Sequence, residues 1–200
     1  MPIHDTLLKM SLYVSLVLIV PGPTNTLLLS SGLKNGLRDT WPLVAAEALG
    51  YVAAISTWGF FLYAFATNRT WLVDVVKLAS SVYIFCLAFN MWTRSVTIQD
   101  ASVSPVNFHE LFIATLANPK ALLFASTLFP PEAFRAAHYF AWSIATFLIV
   151  LVPIGVGWSC LGRLLALRKS VAAHMTTLLR GMSLVLLTFS GTMIYSVLYR

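Results

Sequence analysis

Residues 10–33 read MSLYVSLVLIVPGPTNTLLLSSGL, a stretch without Asp, Glu, Lys or Arg that is interrupted by Pro21, Gly22 and Pro23. A helix that crosses a bilayer needs about 20 largely apolar residues, and this stretch is long enough. Proline has no N–H and its ring clashes with the carbonyl four residues back, so Pro21 and Pro23 leave the carbonyls of Val17 and Ile19 short of helical partners. Hydrocarbon offers no donors, so those carbonyls must be satisfied from elsewhere in the protein. The run resumes beyond Pro23 and is followed by no small-residue cleavage site, so it reads as a retained helix and not as a signal peptide.

Five further segments follow from the same search. The charge-free run Ala48 to Asn68 extends back through Glu47 to Trp41. A third segment, Leu72 to Trp92, carries Asp74 and Lys77 only in its first turns, where charges reach the headgroups. A fourth, Phe108 to Pro130, holds one deep charge, Lys120. Ala136 to Gly162 and Gly181 to Tyr199 contain none. The composition agrees: 58% hydrophobic and 10% charged residues, with a mean hydropathy of +0.82, leave too little polar surface to coat a water-soluble fold. The net charge of +6 is scattered between apolar runs and reads as membrane flanks, so nucleic acid is not an expected partner. Cys86 and Cys160 lie apart in apolar stretches, and His4, His109, His138 and His174 near segment ends, in no metal-ligand spacing. No Walker loop, G-x-S-x-G elbow or carboxylate cluster is present, and no cofactor is expected.

The fold class these features predict is an all-α membrane protein of six transmembrane helices, arranged as two inverted three-helix repeats with helices one and four broken. The repeats would span 1–92 and 108–200, joined by the polar linker 93–107. Asn118 and Pro119 interrupt the fourth segment at a depth similar to that of Pro21, Gly22 and Pro23 in the first. Paired breaks of this kind point to a transporter's midplane site. Asn118-Pro119 matches an N-cap and first-turn pair, and Gly22-Pro23 is a weaker version, so each break can start a half-helix whose free N–H groups suit a carboxylate. Lys120 would strengthen that field. Burying its ammonium at a helix centre costs about 2.5–3.5 kcal/mol on insertion scales, which argues for a role; the competing reading is that it snorkels to an interface.

Glu47 is the one acidic residue well inside an apolar run, able to carry a proton or to face a substrate ammonium. The competing reading is that it is hydrated or paired with Lys34 or Arg38. Thr24 and Asn25 have two readings as well, rebonding the loosened backbone or contacting substrate. Ala46, Gly50, Ala53, Ala54 and Thr57 place small side chains along one face, suited to close helix packing. Tyr51 and Trp58 read as packing residues.

The chain resembles the lysine exporter and homoserine/threonine resistance (LysE/RhtB) family. The resemblance rests on Pro21-Gly22-Pro23 followed by an apolar helix and the Gly32-Leu33-Lys34-Asn35-Gly36 turn, and on Leu116-Ala117-Asn118-Pro119-Lys120-Ala121 followed by Phe124 and Pro130. Lys77-Leu78, Tyr83, Trp92, Arg180-Gly181 and Gly191 add to it. It departs from the family pattern at Thr24, where Asn, Asp or Glu is common, and at Ala46, Tyr51, Ser80 and Ala88.

The resemblance implies secondary-active export of an amino acid or derivative across the bacterial inner membrane, driven by the proton gradient. Pro21, Gly22, Pro23, Asn118, Pro119 and Lys120 would form the transport site. With Thr24, Asn25 and Glu47 they make up the candidate substrate-binding set. The expected partners are a small amino acid, the lipid bilayer, protons as the coupling ion and a second copy in a homodimer. Two rival readings are a non-transporting membrane subunit with the same fold and a metal-cation exporter, the latter short of acidic and thiol ligands. Counting Lys and Arg on the two sides, seven against five, places both termini in the periplasm.

Overall fold

A computed structural model describes residues 3–66, 70–93 and 106–167, with scattered positions between 177 and 195. Every regular element among the described residues is helical. In chain order they are α1 (Ile3–Ile19), α2 (Pro23–Asn35), α3 (Thr40–Ala66), α4 (Thr70–Thr93), α5 (Phe108–Leu116) and α6 (Pro119–Leu123). A π-helical turn (Phe124–Leu128) and a 3-10 turn (Pro131–Phe134) then lead into α7 (Ala137–Leu167). Residues 94–105 of the predicted linker lie outside the described residues.

Thr40–Phe65 and Ala137–Leu167 are each long and apolar enough to cross a bilayer. Two bent pairs pass the same test when each is taken as one span, giving up to four among the described residues. Both bends fall where the prolines predict. α1 and α2 meet at 59°, and α5 meets the helix beginning at Pro119 at 46°. The surface is that of a protein in lipid: Trp41, Leu49, Phe61, Phe85, Ile113 and Ile149 are all exposed. Thr24, Asn25, Glu47, Asn118 and Lys120 are buried. Several hydroxyls on the helices bond to carbonyls a turn back, as Ser56 does to Val52 (2.6 Å) and Thr115 to Leu111 (2.7 Å), which satisfies those groups without water.

Local chemistry explains the element ends. Asn107 accepts from the Glu110 N–H (2.9 Å) while Glu110 Oε2 accepts from the Asn107 N–H (3.2 Å), a capping box that starts α5. The Thr115 carbonyl, deprived by Pro119 of its helical donor, accepts from the Asn118 N–H (3.0 Å) in a tight turn. The small-residue face of α3 is buried at Ala46, Gly50 and Ala54 but ends before Thr57, which is exposed, as is Trp58. Ser183 donates to the Ala88 carbonyl (2.8 Å) and Ser190 to that of Ser81 (2.9 Å), so the described positions of the last segment run antiparallel to α4.

α2 packs most extensively on α7, and two glycines allow it. A Cβ at Gly32 would run into the Ser159 carbonyl, and one at Gly162 into that of Leu29. Each helix therefore uses its glycine to accept the other's backbone. Gly162→Ala is expected to lower stability by about 1–3 kcal/mol, read as a fall in the thermal midpoint in detergent. Gly157→Ala, on the same helix but facing open space, leaves the midpoint within error. An equal fall in both variants would show that the α2–α7 contact is not responsible.

Candidate functional site

The two breaks come together. α1 ends at Ile19, and its last carbonyls point past the break to side chains from other elements. Lys120 Nζ donates to the carbonyls of Val17 (3.1 Å) and Val20 (2.7 Å). Asn25 Nδ2, from the first turn of α2, donates to those of Leu18 (2.6 Å) and Val20 (2.8 Å). The Val17 carbonyl orphaned by Pro21 thus finds its donor about a hundred positions away in sequence. A helix C-terminus carries partial negative charge, and a lysine ammonium bonded to its last carbonyls is the complement that favours it.

Lys120 is 1% exposed, which removes the reading in which it snorkels to an interface. Its route inward runs against Gly22, where an added Cβ would stand 2.9 Å from both Cε and Nζ. Gly22 also starts α2: its carbonyl accepts from the Thr26 N–H (2.9 Å) and the Thr26 hydroxyl (2.8 Å). Asn118 caps α6, its Oδ1 accepting from the Lys120 N–H (3.0 Å). The second N-terminus is therefore closed by its own side chain, whereas the sequence reading had both N-termini facing a guest.

Glu47 lies on α3 with no exposed surface, and neither carboxylate oxygen has a partner in hydrogen-bonding geometry. The readings in which it is hydrated or paired with Lys34 or Arg38 do not describe this buried carboxylate. It lies beside Thr24 in the first turn of α2 and within electrostatic reach of Lys120. Gly155 of α7 makes room for it, since a Cβ there would stand 3.0 Å from Oε2. One turn further along α3, Tyr51 is 1% exposed, and its hydroxyl accepts from Asn118 Nδ2 (3.1 Å). Thr24 also touches this tyrosine. Rings of Phe124 (5.5 Å) and Phe147 (5.6 Å) stand edge-on around it.

Of the predicted site residues, Gly22, Thr24, Asn25, Glu47, Asn118 and Lys120 converge. Pro21 is half-buried at the break, while Pro23 and Pro119 are exposed, away from the buried cluster. Their contribution is to end one helix and start the next. Asn25 rebonds loosened backbone, one of its two expected roles. Tyr51, read from sequence as packing, supplies a polar contact that joins α3 to the cap of α6. Its position four residues after Glu47, on the same helix face, was the available signal.

The arrangement has two poles. The C-terminal carbonyls of α1 form a negative end occupied by the Lys120 ammonium, and the first turn of α2 is a positive end with Glu47 beside it. An ammonium site and a carboxylate site next to one another are what an α-amino acid zwitterion requires.

The chain matches the protein family described as LysE type translocator over residues 15–197. Similar proteins include the cysteine/O-acetylserine efflux proteins of Escherichia coli strain K12, E. coli O1:K1 / APEC and Shigella sonnei strain Ss046. Each is 24% identical over 156 residues, covering 76% of this chain and 80% of the relative. No solved structure matches.

Proposed function

This chain belongs to the LysE type translocator family, a family of transporters and not of enzymes, and from that membership and the two-poled break we propose that it exports a small amino acid or an O-acyl derivative. The observation that carries the reading is the Lys120 ammonium bonded to the Val17 and Val20 carbonyls beside an unpartnered, fully buried Glu47. A buried ammonium and a buried carboxylate that do not bond each other are costly in a membrane and no general aid to stability. Their place at a helix break gives them a use: they fill the two poles that a substrate would otherwise occupy.

In this reading a substrate ammonium takes over the α1 carbonyls, and its carboxylate meets Lys120 and the first turn of α2. Glu47, displaced as the resident anion, carries the coupling proton. Alternating access follows from rocking one half of the chain on the other in a six-span inverted repeat, a class of motion that leaves the central site in place. The protein would lie in the bacterial inner membrane with both termini in the periplasm, as a monomer or a homodimer.

The test is flux into or out of proteoliposomes containing the purified chain, with O-acetyl-L-serine and L-cysteine as probes. Flux above protein-free vesicles that grows with an imposed pH gradient is the expected result. No flux of either probe, under any gradient, would leave the non-transporting subunit as the better account.

A further inference from the structure

A cavity lies further along α3 from the buried Lys120 and Glu47. It has a volume of about 290 Å³ and opens between Gly59 and Tyr63 of α3, Val76 of α4, Ser126 of the π-helical turn and Arg135 just beyond the 3-10 turn. Its walls are mostly apolar, Arg135 is exposed, and no acidic residue among the described residues lines it. Such a lining suits a small molecule with a carboxylate at one end and an apolar or acyl group at the other.

The π-helical turn joins this cavity to the buried pair. It closes through the Phe129 N–H donating to the Phe124 carbonyl (2.9 Å), five residues back, which inserts one residue into the helix that begins at Pro119. Ser126, in the middle of the turn, lines the cavity, while Phe124, at its start, turns its ring to Tyr51 and Phe147. Phe129 stands 5.8 Å from Phe147 and also lines the cavity. Ring contacts therefore connect Tyr51, one turn from Glu47, through Phe124 and Phe147 to Phe129 at the cavity. A π-turn can revert to α-helix by moving one residue, and here that shift would rotate the Phe124 ring.

We propose that this cavity is a vestibule of the transporter, a second binding site in which Arg135 holds the substrate carboxylate while the aromatic rings seal it from the Lys120–Glu47 pair. The assignment rests on the export reading. Arg135 is a specificity and capture residue at the mouth, and the apolar walls favour amino acids with a short apolar or acylated side chain over charged ones.

The experiment compares O-acetyl-L-serine flux in proteoliposomes of wild type, Arg135→Gln, Arg135→Lys and Glu132→Gln. Arg135→Gln is expected to raise KM about tenfold, the loss of one charge-assisted hydrogen bond, with the maximal rate within about twofold. Arg135→Lys recovers most of the affinity. Glu132→Gln, which changes an exposed charge on the same turn, leaves KM unchanged. Wild-type flux with an unaltered KM in Arg135→Gln would overturn the vestibule and leave the export reading standing. The same holds if Glu132→Gln lowers KM by the factor that Arg135→Gln raises it, for then long-range attraction is the cause. Absence of wild-type flux would instead overturn the export reading, and the vestibule with it.

Discussion

Lys120→Met is expected to lower flux at least about a hundredfold and to destabilise the protein by about 3–5 kcal/mol, the order of cost when a buried charge is left without its compensating neighbour. Methionine keeps most of the side-chain volume, so the change isolates the ammonium. Without it, the Val17 carbonyl has lost its only donor among the bonds described above, and Val20 retains only Asn25. Glu47 is then a buried carboxylate with no other cation acting on it among the described residues. The double variant Lys120→Met/Glu47→Gln separates the two roles. Neutralising both groups removes the uncompensated charge and is expected to return most of the thermal midpoint while flux stays at background. If flux returned together with stability, Lys120 would be a structural cap alone. Gly22→Ala offers a milder version, because the added methyl displaces the ammonium and leaves its charge in place.

The breaks were legible because proline chemistry is local. Pro21 and Pro119 each remove a donor and clash with a carbonyl at a fixed offset, and helices bend at both places. Local reasoning also named the carbonyls that need new partners, Val17 and Thr115. It did not name their donors: the one for Thr115 is close in the chain, the Asn118 N–H three residues on. The donor to Val17 is Lys120, 103 positions away, and helical periodicity carries no information on which helix lies against which. Lys120 was therefore read as an open cation facing a guest, when its ammonium caps α1. Glu47 was recognised because a carboxylate in an apolar run is rare, but its burial beside Thr24 and Gly155 depends on how α2 and α7 pack around it. Tyr51 was missed for the opposite reason: tyrosine is an ordinary packing residue, and its hydroxyl acquires meaning only once Asn118 is beside it. Arg135 carried no signal at all, since a lone cation after a proline turn reads as a membrane flank.

Glu47→Gln is expected to abolish gradient-driven accumulation while sparing exchange. Glutamine keeps the shape and the hydrogen-bonding capacity of a protonated glutamate, so the substrate poles beside Thr24 and Lys120 persist and counterflow of labelled against unlabelled O-acetyl-L-serine continues within a few-fold of wild type. The amide cannot release a proton, which removes the link to the pH gradient. The size of the effect follows from the gradient itself. One pH unit is worth about 1.4 kcal/mol, so a one-to-one antiporter supports an accumulation ratio of about ten, and the uncoupled variant a ratio near one. The groups that face Glu47 are consistent with this division of labour: Thr24 from α2, Lys120 from α6 and Tyr51 on its own helix, with Gly155 presenting no polar side chain from α7. Lys120 is held by two carbonyls that persist whatever the state of the carboxylate, so proton exchange at Glu47 need not dismantle the α1 cap. Accumulation by Glu47→Gln at the wild-type ratio would show that the coupling proton travels elsewhere. Loss of counterflow together with accumulation would show that the carboxylate binds the substrate ammonium and does not carry the proton.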